Sequence, residues 1–208
     1  MFKILCVNPK GGCGKTTLAT NLSTWYADDG GKVALADHDP QRSSLDWLTA
    51  RGDYQGVPFI QGVDGTAGEH AERGTDVEIV DAPARTTGPE LTALLRRADA
   101  LLVPVLPSPI DMRAAARFLE ELIASGRVSR GQTRIALVEN RVRENTRIFH
   151  VLEEFLARYQ VPVLTHLRES QNYIKAAETG LGLFELAPSA VARDVELWDP
   201  IIAWLQQG

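Results

Sequence analysis

Cysteine is scarce in this chain: Cys6 and Cys13 are the only two among 208 residues. One falls in an apolar stretch and the other among glycines. They make no disulfide framework, so a reducing, cytoplasmic setting is expected. Long hydrophobic runs are missing as well, and no apolar stretch approaches the roughly 20 residues that span a bilayer. The first residues enter a strand-like run at once, so neither a signal nor a transit peptide is expected. A basic excess is also absent. The net charge of −5 argues against a dedicated basic DNA-binding domain. Internal repeats and low-complexity tracts are lacking.

What is present suits one compact unit, residues 1–208, with 44% hydrophobic residues and length enough for a full core. Charge is unevenly spread. Arg127 to Arg147 holds six arginines against Glu139 and Glu144, and Asp64 to Glu90 reverses the balance, so an acidic and a basic side are expected.

The segment Asn8-Pro9-Lys10-Gly11-Gly12-Cys13-Gly14-Lys15-Thr16-Thr17 organises the rest. It follows the apolar run Phe2 to Val7 and precedes a helix-like pattern through Leu18, Leu22, Trp25 and Tyr26. Strand, glycine-rich turn and helix start make a phosphate-binding loop: successive N–H groups of Gly11, Gly12, Cys13 and Gly14 face an anion without side chains in the way. Lys15 reaches the β- and γ-phosphates, the Thr16 hydroxyl ligates Mg²⁺, and Thr17 continues the helix whose positive end faces the phosphates. The general pattern has Gly where Pro9 stands, and Lys10 is a second lysine at the front of the loop. One triphosphate rarely needs two, so Lys10 is available for the nucleotide of a partner subunit.

Periodicity predicts strands at Lys32–Ala36, Val57–Ile60 (near an edge because of Pro58), Val77–Val80, Ala100–Leu106, Arg134–Glu139 and Val161–Leu167. Helices are predicted over Ser43–Arg51, Pro89–Ala98, about 111–124 with Asp111 as cap, 146–159, Tyr173–Thr179 and Ala190–Leu205, with 61–75 irregular. Alternating strands and helices give an α/β fold, a doubly wound, mostly parallel sheet flanked by helices. In such a sheet ligands sit outside the strand carboxyl ends. Asp81 ends a strand and can hold Mg²⁺ through its water shell. Asp37 and Asp39 are two apart, so in extended chain both face one side; one serves a magnesium-bound water and the other the attacking water.

These motifs together resemble the ParA/MinD family of deviant Walker ATPases, with the ParA partition ATPases the better match. Lys10 to Thr17 match the deviant Walker A motif, Asp37-His38-Asp39-Pro40-Gln41 switch I, and Val80-Asp81-Ala82-Pro83 Walker B. Arg168-Glu169-Ser170-Gln171 with Ala176, Ala177 and Gly180 resembles a C-terminal family segment, so the likeness spans nearly the whole chain. The resemblance implies an ATPase that uses ATP and Mg²⁺, is weak alone, and is stimulated by a partner. Lys10 would cross an ATP-sandwich homodimer, Asp39 would position the attacking water, and Asp37 would lie near the magnesium shell. Asn140 would contact adenine. It further implies non-specific DNA binding by the ATP dimer, a ParB-like or cargo-adaptor partner, and a nucleoid-associated location. The basic surface would draw on Arg141, Arg143, Arg147, Arg168 and Lys175. Ala84 departs from the family, where a second proline is common. The chain enters the first strand at once, so no helix-turn-helix extension is expected and the small, single-domain type is the expected match.

A MinD-like, membrane-associated positioning ATPase is the alternative. The C-terminal apolar residues Val195, Leu197, Trp198, Ile201, Ile202, Trp204 and Leu205 are flanked by Asp194, Glu196 and Asp199, which anionic lipid repels, so core packing and no membrane partner are expected. A metabolic or signalling enzyme fits less well. No Asn-Lys-x-Asp guanine motif is present, the tyrosines are scattered, and two cysteines supply no iron–sulfur set.

Overall fold

The structure is a computed structural model and describes residues 1–207. Its strands are β1 (Phe2–Cys6), β2 (Val33–Asp37), β3 (Ile60–Asp64), β4 (Val77–Asp81), β5 (Ala100–Val105), β6 (Arg134–Val142) and β7 (Val163–Arg168). They form one parallel sheet in the order β3-β2-β4-β1-β5-β6-β7. The helices are α1 (Lys15–Asp28), α2 (Ser43–Arg51), α3 (Gly88–Leu95), α4 (Pro109–Ala124), α5 (Gly126–Ser129), α6 (Arg147–Leu156), α7 (Gln171–Thr179), α8 (Pro188–Glu196) and α9 (Asp199–Gln206).

Helices cover both faces, which is why the inner strands read as unbroken apolar runs. Alternate residues divide between two cores. Ile4, Cys6, Leu35, Ile79, Leu102 and Val138 pack with α1, α8 and α9 and with the fully buried Trp198 between the last two. Leu5, Val7, Leu101, Val103 and Leu137 pack on the other face with Leu91 of α3, Phe118 and Leu119 of α4, and Leu152 of α6.

The local differences from expectation have identifiable causes. The strand expected at Val57–Ile60 begins only at Ile60 and runs to Asp64, because Pro58 has no N–H to give a ladder; it is the sheet edge, as Pro58 suggested. The single helix expected over Ala190–Leu205 is two, since Pro200 can neither donate to residue 196 nor clear its carbonyl; it sits instead in the first turn of α9. Asp111 is not the cap of α4. That position is Ser108, and Asp111 lies inside the first turn, where its charge complements the helix dipole. Nor does the arginine-rich run make one basic side. It straddles β6, so Arg127 and Arg134 lie at its start and Arg141 to Arg147 at its end. Arg127 bonds Thr133, and Arg134 caps the last carbonyls of α9 at Trp204 and Leu205 (2.8 and 3.2 Å) while stacking on the Trp204 ring.

The C-terminal segment is fastened to α2 by backbone contact. Gly180 has φ +69°, and a Cβ there would sit 2.2 Å from the Arg51 nitrogen, so only glycine lets α7 end against α2. The buried Arg51 guanidinium then reaches Glu185 through two bonds of 2.7 and 2.5 Å, a paired fork that leaves neither charge uncompensated.

Candidate functional site

β1 ends at Cys6, and the chain turns through Asn8 to Gly14 into α1. Asn8 anchors the turn from both ends: its amide donates to the Pro104 carbonyl (2.7 Å), and its Oδ1 accepts from Lys10 N (2.9 Å). Gly14 has φ 102°, and a Cβ on it would lie 2.0 Å from Asn140 Nδ2. That position excludes every side chain. Among the described residues no side chain caps the start of α1 and no acidic residue stands in its first turn, an arrangement suited to an anion. Lys15 is buried, with Nζ 3.3 Å from the Lys10 carbonyl, whereas Lys10 is exposed. Cys13 is buried with its thiol toward the Lys10 carbonyl, off the anion face of the loop.

Three strand ends meet around this loop. Asp37 and Asp81 are direct partners in the β2–β4 register, and both are buried. Asp81 Oδ2 accepts from Thr16 Oγ1 (2.7 Å) and Ser44 Oγ (2.5 Å), while its buried Oδ1 has no partner among the described residues. Burial is the main cause that pushes the Asp81 carboxyl up to about 6, with the neighbouring Asp37 adding to it and the two hydroxyls opposing. The donors are oxygens, one buried lone pair is unmatched, and a second carboxylate is adjacent. This set fits a hard divalent cation such as Mg²⁺.

Asp37 and Asp39 take different partners. The backbone turns between them, with Asp39 N donating to Asp37 Oδ1 (2.9 Å) in an Asx turn. Asp37 Oδ2 accepts the amides of Ser44 (2.8 Å) and Leu45 (3.3 Å), capping α2 from seven residues upstream. In Asp39, Oδ1 accepts from Gln41 N (2.9 Å) and Oδ2 from Ala84 N (3.0 Å). Arg85 N in turn donates to the Pro9 carbonyl (2.9 Å), so the loop after β4 ties switch I to the phosphate loop. His38 is half-buried against Gly65.

Beside the start of α1 lies a cavity of about 320 Å³ lined by Thr17, Asn140, Arg141, Glu169, Ser170 and Tyr173, among others. Asn140 forms its inner wall, and its Nδ2 donates to the Cys13 carbonyl (2.7 Å). Sequence reasoning placed Asn140 at the base but missed this tether to the loop. It missed Ser44 and the Ala84 amide too, since a helix-start serine and a loop alanine carry no motif signal.

The basic residues separate into two kinds. Arg168 bonds the fully buried Asp194, which also accepts from Ser170 (2.9 Å) and Asn172 (2.6 Å), so this arginine belongs to a packed network. Arg143 is exposed and paired with Glu169. Arg141, Arg147 and Lys175 are exposed and have no ion pair among the described residues.

Near the same end of β6 the buried Glu139 leaves Oε1 without a partner, and burial pushes its carboxyl up to about 7, with Glu153 adding to the shift. The folded chain therefore keeps a proton that the unfolded chain releases near 4.5. Stability contributed by this proton is complete at low pH and is lost as pH rises toward 7. Glu139→Gln is expected to stabilise the protein by about 2 kcal/mol at pH 8 and to be neutral at pH 4. Thermal melts of both proteins at the two pH values check this, and an equal effect at both would rule it out.

A glycine-rich loop between β1 and α1, with acidic strand ends beside it at the carboxyl edge of a parallel sheet, defines a P-loop nucleotide-binding ATPase. The chain belongs to the CobQ/CobB/MinD/ParA nucleotide binding domain family, whose model matches residues 4–184, and is an ATPase of its ParA/MinD branch. It is 32% identical over 192 residues to maintenance of carboxysome distribution protein A of Halothiobacillus neapolitanus, covering 89% of this chain and 88% of that one. It is 31% identical to the chromosome-partitioning ATPase Soj of Thermus thermophilus, over 58% of this chain and 61% of that one. Among solved structures, a plasmid partition protein of Borrelia burgdorferi bound to AMPPNP superposes with a TM-score of 0.71 at 16% identity, covering 97% and 98% of the two chains. Among the described residues no helix is long and apolar enough to cross a membrane.

Proposed function

We propose that this ATPase is a dimerisation switch. It binds Mg²⁺-ATP, pairs with a second copy across the nucleotides, holds non-specific DNA as that dimer, and positions a cargo through an adaptor that stimulates hydrolysis. The observation that carries the reading is Lys10. Its side chain is exposed at the front of a loop whose own lysine, Lys15, is already buried within it. A second ammonium there serves the phosphates of a facing copy.

In this reading Thr16 and Asp81 hold the magnesium ion, the latter through its unmatched oxygen, and Asp37 adds negative charge from the adjacent register position. Bound there, the ion neutralises charge on the β- and γ-phosphates. Asp39 orients the attacking water. The cavity beside Thr17 takes the nucleoside, and Asn140, its amide engaged with the loop, offers Oδ1 to the adenine amino group. DNA phosphates meet Arg141, Arg147 and Lys175, with Arg143 contributing when it leaves Glu169; Arg168 acts through the fold. Likeness over 89% of this chain to a carboxysome distribution protein, against 58% for a chromosome-partitioning one, supports a protein assembly as cargo.

Lys10→Ala is expected to bind ATP within about threefold of wild type, yet to remain monomeric in ATP by light scattering. With the dimer gone, ATP-dependent DNA binding falls by about tenfold or more, while the wild type binds with ATP and weakens as salt rises. Normal dimerisation of Lys10→Ala would remove the cross-subunit role. Wild-type DNA binding indifferent to ATP and salt would remove the DNA reading. Association with anionic liposomes in ATP, but not with DNA, would favour the membrane alternative.

A further inference from the structure

We propose that Ser44 is a positioning residue for the metal site, fixing which oxygen of Asp81 is offered to the cation. The inference rests on the reading of Thr16 and Asp81 as the magnesium site. Ser44 is fully buried at the second position of α2, and its hydroxyl finds one partner in the structure, Asp81 Oδ2 at 2.5 Å. The Thr16 hydroxyl donates to that same oxygen at 2.7 Å. Two donors on Oδ2 hold the carboxylate in one orientation and leave Oδ1 bare.

The two hydroxyls are not equivalent. Thr16 gives its proton to Asp81, and its hydroxyl oxygen would be left to ligate the ion directly. Ser44 touches the site only through Asp81. It is itself held in place, because its amide donates to Asp37 Oδ2 (2.8 Å) and α2 is capped there. One residue thus fastens the helix after switch I to both buried acids, through its backbone to one and its side chain to the other. Partners of this kind orient a ligand before the metal arrives, and losing one typically costs about 10- to 100-fold in metal affinity. If the hydroxyl only stabilised the fold, its loss would lower the melting temperature and leave metal affinity alone.

The test is a Mn²⁺ titration by electron paramagnetic resonance on the full chain with a non-hydrolysable ATP analogue. Ser44→Ala is expected to weaken Mn²⁺ binding about tenfold while metal-free nucleotide binding in EDTA stays within twofold of wild type. Mn²⁺ affinity within twofold of wild type would overturn the proposal. Wild-type protein that binds the analogue but no Mn²⁺ would overturn the metal reading and this inference with it. Should Ser44→Ala fail to fold, Ser44→Cys keeps the volume and a weaker donor, and an intermediate affinity is expected; wild-type affinity there would equally overturn it.

Discussion

Lys15→Ala is expected to abolish useful nucleotide binding, weakening ATP affinity by on the order of a hundredfold or more. Lys15 is buried at the first position of α1, and the loop that presents it is fixed at several points: Asn8 to Pro104, Asn140 to Cys13, and Arg85 to Pro9. Its ammonium is therefore held within the loop, where the proposed phosphates would meet it, rather than left mobile on the surface. Removing it leaves the amides and the α1 dipole to face a triphosphate alone. Because Lys15 is not part of a buried ion pair among the described residues, the variant should keep its fold, and its melting temperature should stay within a few degrees of wild type. Isothermal titration with ATP and with ADP checks the claim. The loss should be similar for both if Lys15 mainly meets the β-phosphate, and larger for ATP if it meets the γ-phosphate. Affinity within threefold of wild type for both would show that the phosphates lie elsewhere.

Much of this architecture was legible in the sequence because strong local signals agreed with the global fold. Apolar runs such as Ala100 to Leu106 could be buried on both faces only in a parallel sheet, and the loop from Lys10 to Thr17 could sit only at the end of one. The partial misses share a cause, which is tertiary geometry acting on residues whose types are common. One helix was expected over Ala190–Leu205 with no weight given to Pro200, whose missing N–H separates α8 from α9. Asp37 and Asp39 looked equivalent by spacing, but the Asx turn between them sent one to cap α2 and the other to the loop after β4. Ala84 stands where the family commonly has a second proline, a departure expected to alter the loop after β4. Its N–H is the donor to Asp39, and a proline there could not supply it. The arginines from 127 to 147 do not gather on one side, because charge along a sequence does not say which end of a strand each residue occupies. Arg134 and Arg168 found carbonyls and a buried carboxylate instead.

Asp39→Ala is expected to bind ATP and dimerise normally but to hydrolyse about a hundredfold more slowly, trapping the ATP state. Asp39 is half-buried at the mouth of the site, and its two oxygens are oriented by different segments, Gln41 N from its own turn and Ala84 N from the loop after β4. A carboxylate held from both sides is suited to aligning a water, and it touches neither Thr16 nor Asp81, so nucleotide and metal binding should survive its loss. The truncation also cuts the tie between the two loops, and a second variant separates that effect. Asp39→Asn keeps the volume and an acceptor oxygen but loses the charge. If the carboxylate orients and activates water, Asn should be nearly as slow as Ala; if the tie alone matters, Asn should recover most of the rate. Steady-state phosphate release with light scattering on the same samples reads both quantities, and normal turnover in Asp39→Ala would move the water-positioning role to another residue. The expected pairing of slow release with a persistent dimer links chemistry to assembly: hydrolysis at Asp39 would then be the step that lets two copies part.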